Sequence, residues 1–514
     1  MLGSVAEGAS GSGSLDVLVR WFDRLPAVLI GAVLIAAAGA AYWLPGSDRI
    51  YNHFVWQALA FLHGTAVIDW PVAGDPWWTG NDWMQDVYPL SELNGAATGA
   101  LLPFPPLPAI VLLPFVALWG LATDIRAVSV GLGAVTVGLA WWALGGLRVS
   151  RPIRLATTIF FAFGTVFWYA AQLGTTWFFA HVCAVAFLVL SLGVALRADQ
   201  GADPPPEASG GEGPGGEGPS GETRGSVGVP IVRPPEGGPA RLFDGRQLLA
   251  GLLFGIACTA RLTVVFGAPF FLFVGGGGTW RRRSFSAGVG AAIPVALLLA
   301  YNLATTGHVF HPGYDYQYQK EASGYEALGY NPDWSIEDIR YLPQNLGIFL
   351  GATPAVMPAN MPDAFGGDGD PLCTEPDAQR GLFDEGCPIA VPKAIGMSLL
   401  LTSPAYLLAV PSLLSLFRRR SSAGIGPRAG FRLRVVAGSI LAVLAIAFVN
   451  LLHFSQGWVN FGYRFSNDFV VFALPLIALG MARRGRVGWL GIGLIALSVA
   501  INLWGVIWGN ILGW

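Results

Sequence analysis

The sequence predicts an all-α, polytopic transmembrane helical bundle, and three observations carry that prediction. Of 514 residues, 53% are hydrophobic and only 12% are charged, about half the charge of an ordinary soluble chain. The mean hydropathy is +0.54. Apolar runs of about 20 residues, each long enough to cross a bilayer as a helix, recur along the whole chain. A water-soluble multidomain enzyme is excluded. So is an outer-membrane barrel, whose strands alternate in polarity over segments of about ten residues. A formal net charge of −2 argues against a nucleic-acid partner.

The runs read as about eleven spans, at 26–44, 124–147, 154–171, 176–197, 247–259, 262–275, 285–304, 389–417, 434–454, 467–482 and 487–509. Residues 1–25 read as a cytoplasmic amphipathic N-terminus with no signal peptide, held inside by Arg20 and Arg24. Phe104–Gly120 is apolar but carries four prolines. If it dips into the membrane and returns, the arginine loops fall on one side and 22 of the 30 basic residues are cytoplasmic. The positive-inside rule selects that arrangement. It also makes 247–275 a hairpin of two short helices turning at Ala260–Arg261; the loop 198–240 separates a first membrane module, 26–197, from a second, 241–514.

Acidic residues show the opposite bias, with 21 of 32 outside, concentrated in the outward loops 45–103 and 305–388. Carboxylates do not set topology, so these loops are where a site is expected. Segment 198–240 is rich in Gly, Pro, Glu and Ser with almost no apolar residues; it reads as a disordered cytoplasmic linker. Cys183 and Cys258 sit in apolar runs as small buried side chains. Cys373 and Cys387 flank a polar outward loop and read as a disulfide. No histidine lies near them, so a metal site is not expected there.

The first outward loop opens on SDRIYNHFVWQALAFLHG, where Tyr51, Val55, Ala58, Leu59 and Leu62 recur at helical spacing. A helix lying at the membrane surface is expected. Asp48 at its start reads either as a capping acid favoured by the helix dipole or as a general base at the mouth of the first span; Asn52 shares its face. Farther along, Asp69, Asp75, Asp82 and Asp86 alternate with Trp70, Trp77, Trp78 and Trp83. Interfacial anchoring accounts for the tryptophans, while acids beside aromatic faces also suit a sugar. Arg261 and Arg464 lie at outer boundaries against the charge rule. Each pairs either with a protein carboxylate, Asp468 being one turn from Arg464, or with a phosphate. His181 reads as a packed histidine or as a ligand contact. Phosphate-loop, zinc-protease and serine-hydrolase motifs find no supporting context.

The pieces DRIYNHFVWQALAFLHG, LLPFPPLPAIVLLPFVALWG, GTVFWYAAQLGTTWFFAH, GLLFGIACTARLTVVFGAPF and FGYRFSNDFVVFALP, in this order, resemble the GT-C superfamily of membrane glycosyltransferases. The closest likeness is to the family 39-like, protein O-mannosyltransferase-like group. The resemblance implies a GT-C fold and a polyprenyl-phosphate-linked sugar donor used at the outer face of the cell membrane. It implies inverting transfer to a glycan, lipid or protein acceptor hydroxyl, with an acid of the first loop as base. By position that acid is Asp48, with Asp86 as the second carboxylate. Many relatives have an Asp-Glu pair where this chain has Asp48–Arg49, which leaves Asp86 as a rival base. Arg464 and Arg261 would hold the donor phosphate, with Asn52, His181 and Tyr463 contacting substrate. No cofactor or metal is required, and membrane lipid is a further partner. A lipid-linked saccharide flippase and an inactive GT-C-like assembly subunit remain alternatives.

Overall fold

A computed structural model describes residues 22–46, 51–69, 86–96, 98–200, 243–322, 331, 333–362, 368–417, 427–457, 459–483 and 487–514. The chain runs through α1 (Ala27–Trp43), α2 (His53–Leu62), α3 (Leu107–Trp119), α4 (Ile125–Leu144), α5 (Arg151–Phe163), α6 (Phe167–Leu173), α7 (Thr176–Gln200) and α8 (Gly245–Cys258). It continues through α9 (Trp280–Thr306), α10 (Gly313–Ala322), α11 (Leu342–Gly351), α12 (Val410–Phe417), α13 (Pro427–Leu452), α14 (Val470–Ala482) and α15 (Trp489–Ile511). Among the described residues, sheet is confined to short antiparallel pairs in loops: β1 (Tyr88–Pro89) with β2 (Ala100–Leu101), and β3 (Ala355–Val356), β4 (Asn360–Pro362), β5 (Asp368–Pro371) and β6 (Ala390–Val391), where β3 pairs with β6 around the β4–β5 pair. The molecule is an all-α membrane bundle.

Two helices form its centre. The apolar stretch of α7 is 83% buried inside the protein, against 22% for α9 and 33% for α15. Every residue of α14 from Val470 to Met481 is buried. The peripheral helices present apolar side chains outward, as lipid-facing helices do, with Leu297 67% and Leu490 64% exposed. The α8–α9 seam is close because small residues face each other. A Cβ on Gly251 would fall 2.0 Å from the Ala287 carbonyl oxygen, and one on Gly290 would fall 2.1 Å from that of Leu248.

Among the described residues, five helical stretches are individually long and apolar enough to cross a membrane, and six if a bent pair counts as one. The remaining apolar helices have 10 to 17 residues. Several expected boundaries change. The run 154–171 is α5 and α6, bent by 50° around Gly164–Val166. The run 389–417 is not one helix: it opens in β6, a single helical turn spans Leu399–Thr402, and after Ser403 a 3-10 segment, Pro404–Ala409, runs into α12. Proline cannot continue a helix without losing a hydrogen bond and clashing with the preceding turn. The second arm of the 247–275 hairpin is mostly a 3-10 segment, Leu262–Gly267, followed by a single turn at Phe270–Phe273. The segment read as a linker from residue 198 is helical through Gln200, and 201–240 lies outside the described residues.

In the first loop, α2 begins at His53 with Asn52 as N-cap, so Asp48 precedes the cap by four positions and is not in the first turn. Asp48 itself lies outside the described residues, as do Trp70, Asp75, Trp77, Trp78, Asp82 and Trp83. Rather than lying open on a surface, α2 is buried on most sides: His53, Phe54, Val55, Gln57, Ala58 and Ala60 are covered by protein. Gln57 donates to the Tyr301 hydroxyl on α9 at 3.3 Å. The start of α2 is pinned to α7, where the Thr176 amide and hydroxyl both donate to the Tyr51 carbonyl at 3.1 and 3.0 Å.

Candidate functional site

A 3-10 turn, Arg464–Asp468, leads into α14 and delivers Asp468 to the centre of the bundle's loop-bearing end. The carboxylate is fully buried. Burying such a charge is costly unless donors surround it, and here they do. Arg261 donates to both oxygens, from Nε at 3.2 Å and Nη2 at 3.0 Å. Thr263 Oγ1 donates at 2.8 Å and Asn450 Nδ2 at 3.3 Å. His181 Nδ1 donates at 3.0 Å. That contact sets the His181 tautomer, leaving Nε2 as an acceptor, and Nε2 has no hydrogen-bond partner among the described residues. Asp468 thus orients one arginine and one histidine together.

Phe465 is the hub of the surrounding groups. The Arg261 guanidinium lies 5.3 Å from its ring centroid and that of Arg464 lies 5.1 Å away, within cation–π range. The rings of His453, His181 and Tyr463 have their centroids at 6.0, 6.2 and 6.2 Å. Gly457 makes room for Arg464, because a Cβ there would fall 2.6 Å from the guanidinium carbon.

The second loop is clasped to this cluster at the end of α13. Asp338 N donates to Leu452 O and Phe454 N to Ile336 O, at 2.9 and 2.8 Å. Asn345 Nδ2 donates to the carbonyls of Leu451 and His453. His453 Nδ1 reaches Glu337 Oε1 at 3.3 Å. That hydrogen bond holds the Glu337 carboxyl below its ordinary pKa, against the opposing effect of burial. Burial pushes the Tyr314 hydroxyl well up; Arg261 opposes the shift, and Glu337 and Asp86 add to it. All three charges therefore lie within electrostatic reach of one hydroxyl. Asp86 accepts from Gln317 Nε2 of α10 at 3.3 Å. Its φ of +53° is uncommon for a residue with a side chain, although aspartate tolerates it better than most.

The structure gathers Arg261, Arg464, His181 and Tyr463 around Phe465 and places Asp86 next to the adjoining second-loop helix. Two of these residues are held by the protein itself. Arg261 was expected to pair with a protein carboxylate or a phosphate; its Nε–Nη2 edge is committed to Asp468, so only its other edge is left for a phosphate. Tyr463 was expected to touch substrate, yet it is 1% exposed and packed on Phe349. Asn52 caps α2 through its backbone, with no side-chain cap bond. Cys373 and Cys387 are joined by a disulfide across the second loop. Cys183 and Cys258 are buried thiols. No cluster of His, Cys, Asp and Glu suited to a metal occurs among the described residues. Sequence reasoning missed His453, Thr263 and Asn450. The one available signal was Asn450 beside His453 at the end of an apolar run.

No family model matches the sequence, and no curated protein matches it. Among solved structures, the chain is similar to the oligosaccharyltransferase of Archaeoglobus fulgidus, crystallised tethered with an acceptor peptide containing the NVT sequon via a disulfide bond. The identity is 12% and the TM-score 0.42, over 96% of this chain and 55% of that one. The chain thus spans about half the length of the structure it matches.

Proposed function

We propose that the chain is a membrane glycosyltransferase that moves a sugar from a polyprenyl-phosphate donor to an acceptor hydroxyl at the outer face. The observation that carries this reading is the pair of guanidinium groups, Arg261 and Arg464, set 5.3 and 5.1 Å from one aromatic ring at the loop-bearing end of the bundle. The Asp468 carboxylate is bonded to Arg261 and that of Glu337 to His453. In this reading Arg464 and the free edge of Arg261 hold the donor phosphate. Guanidinium groups suit that task because their donors match phosphate oxygens and their charge is permanent.

The acceptor hydroxyl attacks the anomeric carbon, and the bond to the phosphate oxygen breaks as the new glycosidic bond forms. Negative charge grows on the departing phosphate and is stabilised by groups already in place. The proton goes to a first-loop carboxylate, Asp48 or Asp86. Asp468 acts at one remove by holding Arg261 and His181 in register. The experiment offers purified protein a panel of polyprenyl-phosphate sugars with acceptor and reads product and anomeric configuration. Transfer with inversion from one donor supports the reading; donor binding without transfer points to a carrier or an inactive subunit instead.

A further inference from the structure

At the far end of α13 and α14 from Asp468 lies a second polar feature that the proposed transfer does not use. It is a cavity of about 250 Å³ between α12, α13 and α14, with Ser412, Ser415, Arg432, Val436, Leu479 and Arg483 on its walls. Asp468 precedes α14 and Arg483 follows it. At about 1.5 Å per residue, the two sites stand roughly 22 Å apart on opposite ends of one helix.

The lining fixes the ligand's charge. Two arginines and no carboxylate face the space among the described residues. Arg483 spends one guanidinium nitrogen on the Pro411 carbonyl at 2.6 Å. The serine hydroxyls are committed as donors, Ser412 to the Leu476 carbonyl and Ser415 to the Ser412 carbonyl, at 2.7 and 2.6 Å. They offer an anion no proton, so recognition falls to the guanidinium groups. The remaining walls are apolar. On α12, Leu414 and Phe417 are 45% and 80% exposed, a surface for hydrocarbon beside a charged recess. The volume is below the roughly 300–1,000 Å³ of pockets that enclose a whole drug-sized ligand, which suits a headgroup rather than an entire lipid.

We infer that this cavity binds a phosphate anion, presented either as the headgroup of an anionic phospholipid or as free phosphate. Basic recesses between membrane helices hold lipid headgroups in this way. The inference is independent of the transfer reading, because none of its residues belongs to the Phe465 cluster.

The test uses the full chain in nanodiscs of phosphatidylcholine doped with phosphatidylglycerol, and reads co-purified lipid by mass spectrometry. Wild-type protein should retain phosphatidylglycerol selectively. The double variant Arg432→Gln/Arg483→Gln should lose about 30-fold of that preference, from two charged contacts each contributing about five-fold. Arg432→Lys/Arg483→Lys should keep most of it, which separates charge from folding. Retention unaffected by millimolar inorganic phosphate identifies the lipid source; displacement by phosphate identifies the free anion. Equal retention of both lipids, or a preference unchanged in the glutamine variant with no phosphate binding, overturns the inference.

Discussion

Asp468 is the residue on which the site depends most. Its carboxylate is fully buried and is bonded by Arg261, Thr263, Asn450 and His181. Removing it leaves a guanidinium and an imidazole without their partner. Replacing Asp468 with Ala should therefore destabilise the protein by about 3–5 kcal/mol, measured as a lowered thermal midpoint. Arg464→Ala, by contrast, should leave the midpoint within a few degrees while weakening donor binding. This hub was hard to read from sequence. Arg261 and His181 lie 207 and 287 positions from Asp468, and only Arg464 lies at helical spacing. The turn from 464 to 468 is 3-10, where about three residues make a turn, so positions four apart do not share a face. The bidentate partner is accordingly Arg261.

At the scale of elements, the apolar runs were legible from composition, but the breaks within 154–171 and 389–417 were not, although Gly164 and Pro404 mark them. Nor was the loop packing, since it depends on long-range contacts. His311 shows the kind of contact involved. It is 7% exposed and lies against Tyr88 of the first loop, and its Nδ1 accepts the Gly313 amide at 3.0 Å. Burial pulls its pKa down to about 4, so the folded state prefers the neutral ring. The unfolded chain, with an ordinary histidine near 6.5, binds more protons between those values. The contribution of His311 is therefore complete above about pH 6.5 and is lost as the pH falls toward 4, by up to about 3 kcal/mol. Hydrogen exchange across 307–318 should show protection decreasing through that window, and His311→Asn should flatten the dependence. In the bundle, Gly251→Val should force α8 and α9 apart, because a Cβ there already meets the Ala287 carbonyl at 2.0 Å; the expected readout is loss of folded yield.

For the whole molecule, composition alone was enough to place the chain in a membrane, and charge asymmetry supplied an orientation. The proposed topology puts Ser150 in the cytoplasm, so a cysteine there should resist an impermeant reagent applied from outside. In that topology the Phe465 cluster and the arginine-lined cavity face opposite sides, joined through α13 and α14. Asp48 and Asp86 could not be ranked from sequence, because both lie in one acidic loop and composition does not say which of them meets the acceptor. The most direct test of the transfer reading is single-turnover sugar transfer by purified Asp48→Asn, Asp86→Asn and Arg464→Ala variants, with donor binding measured in parallel. Loss of the base should lower turnover by about 10²-fold or more with donor binding intact, and loss of Arg464 should weaken binding and transfer together. Full activity in both aspartate variants would contradict the account.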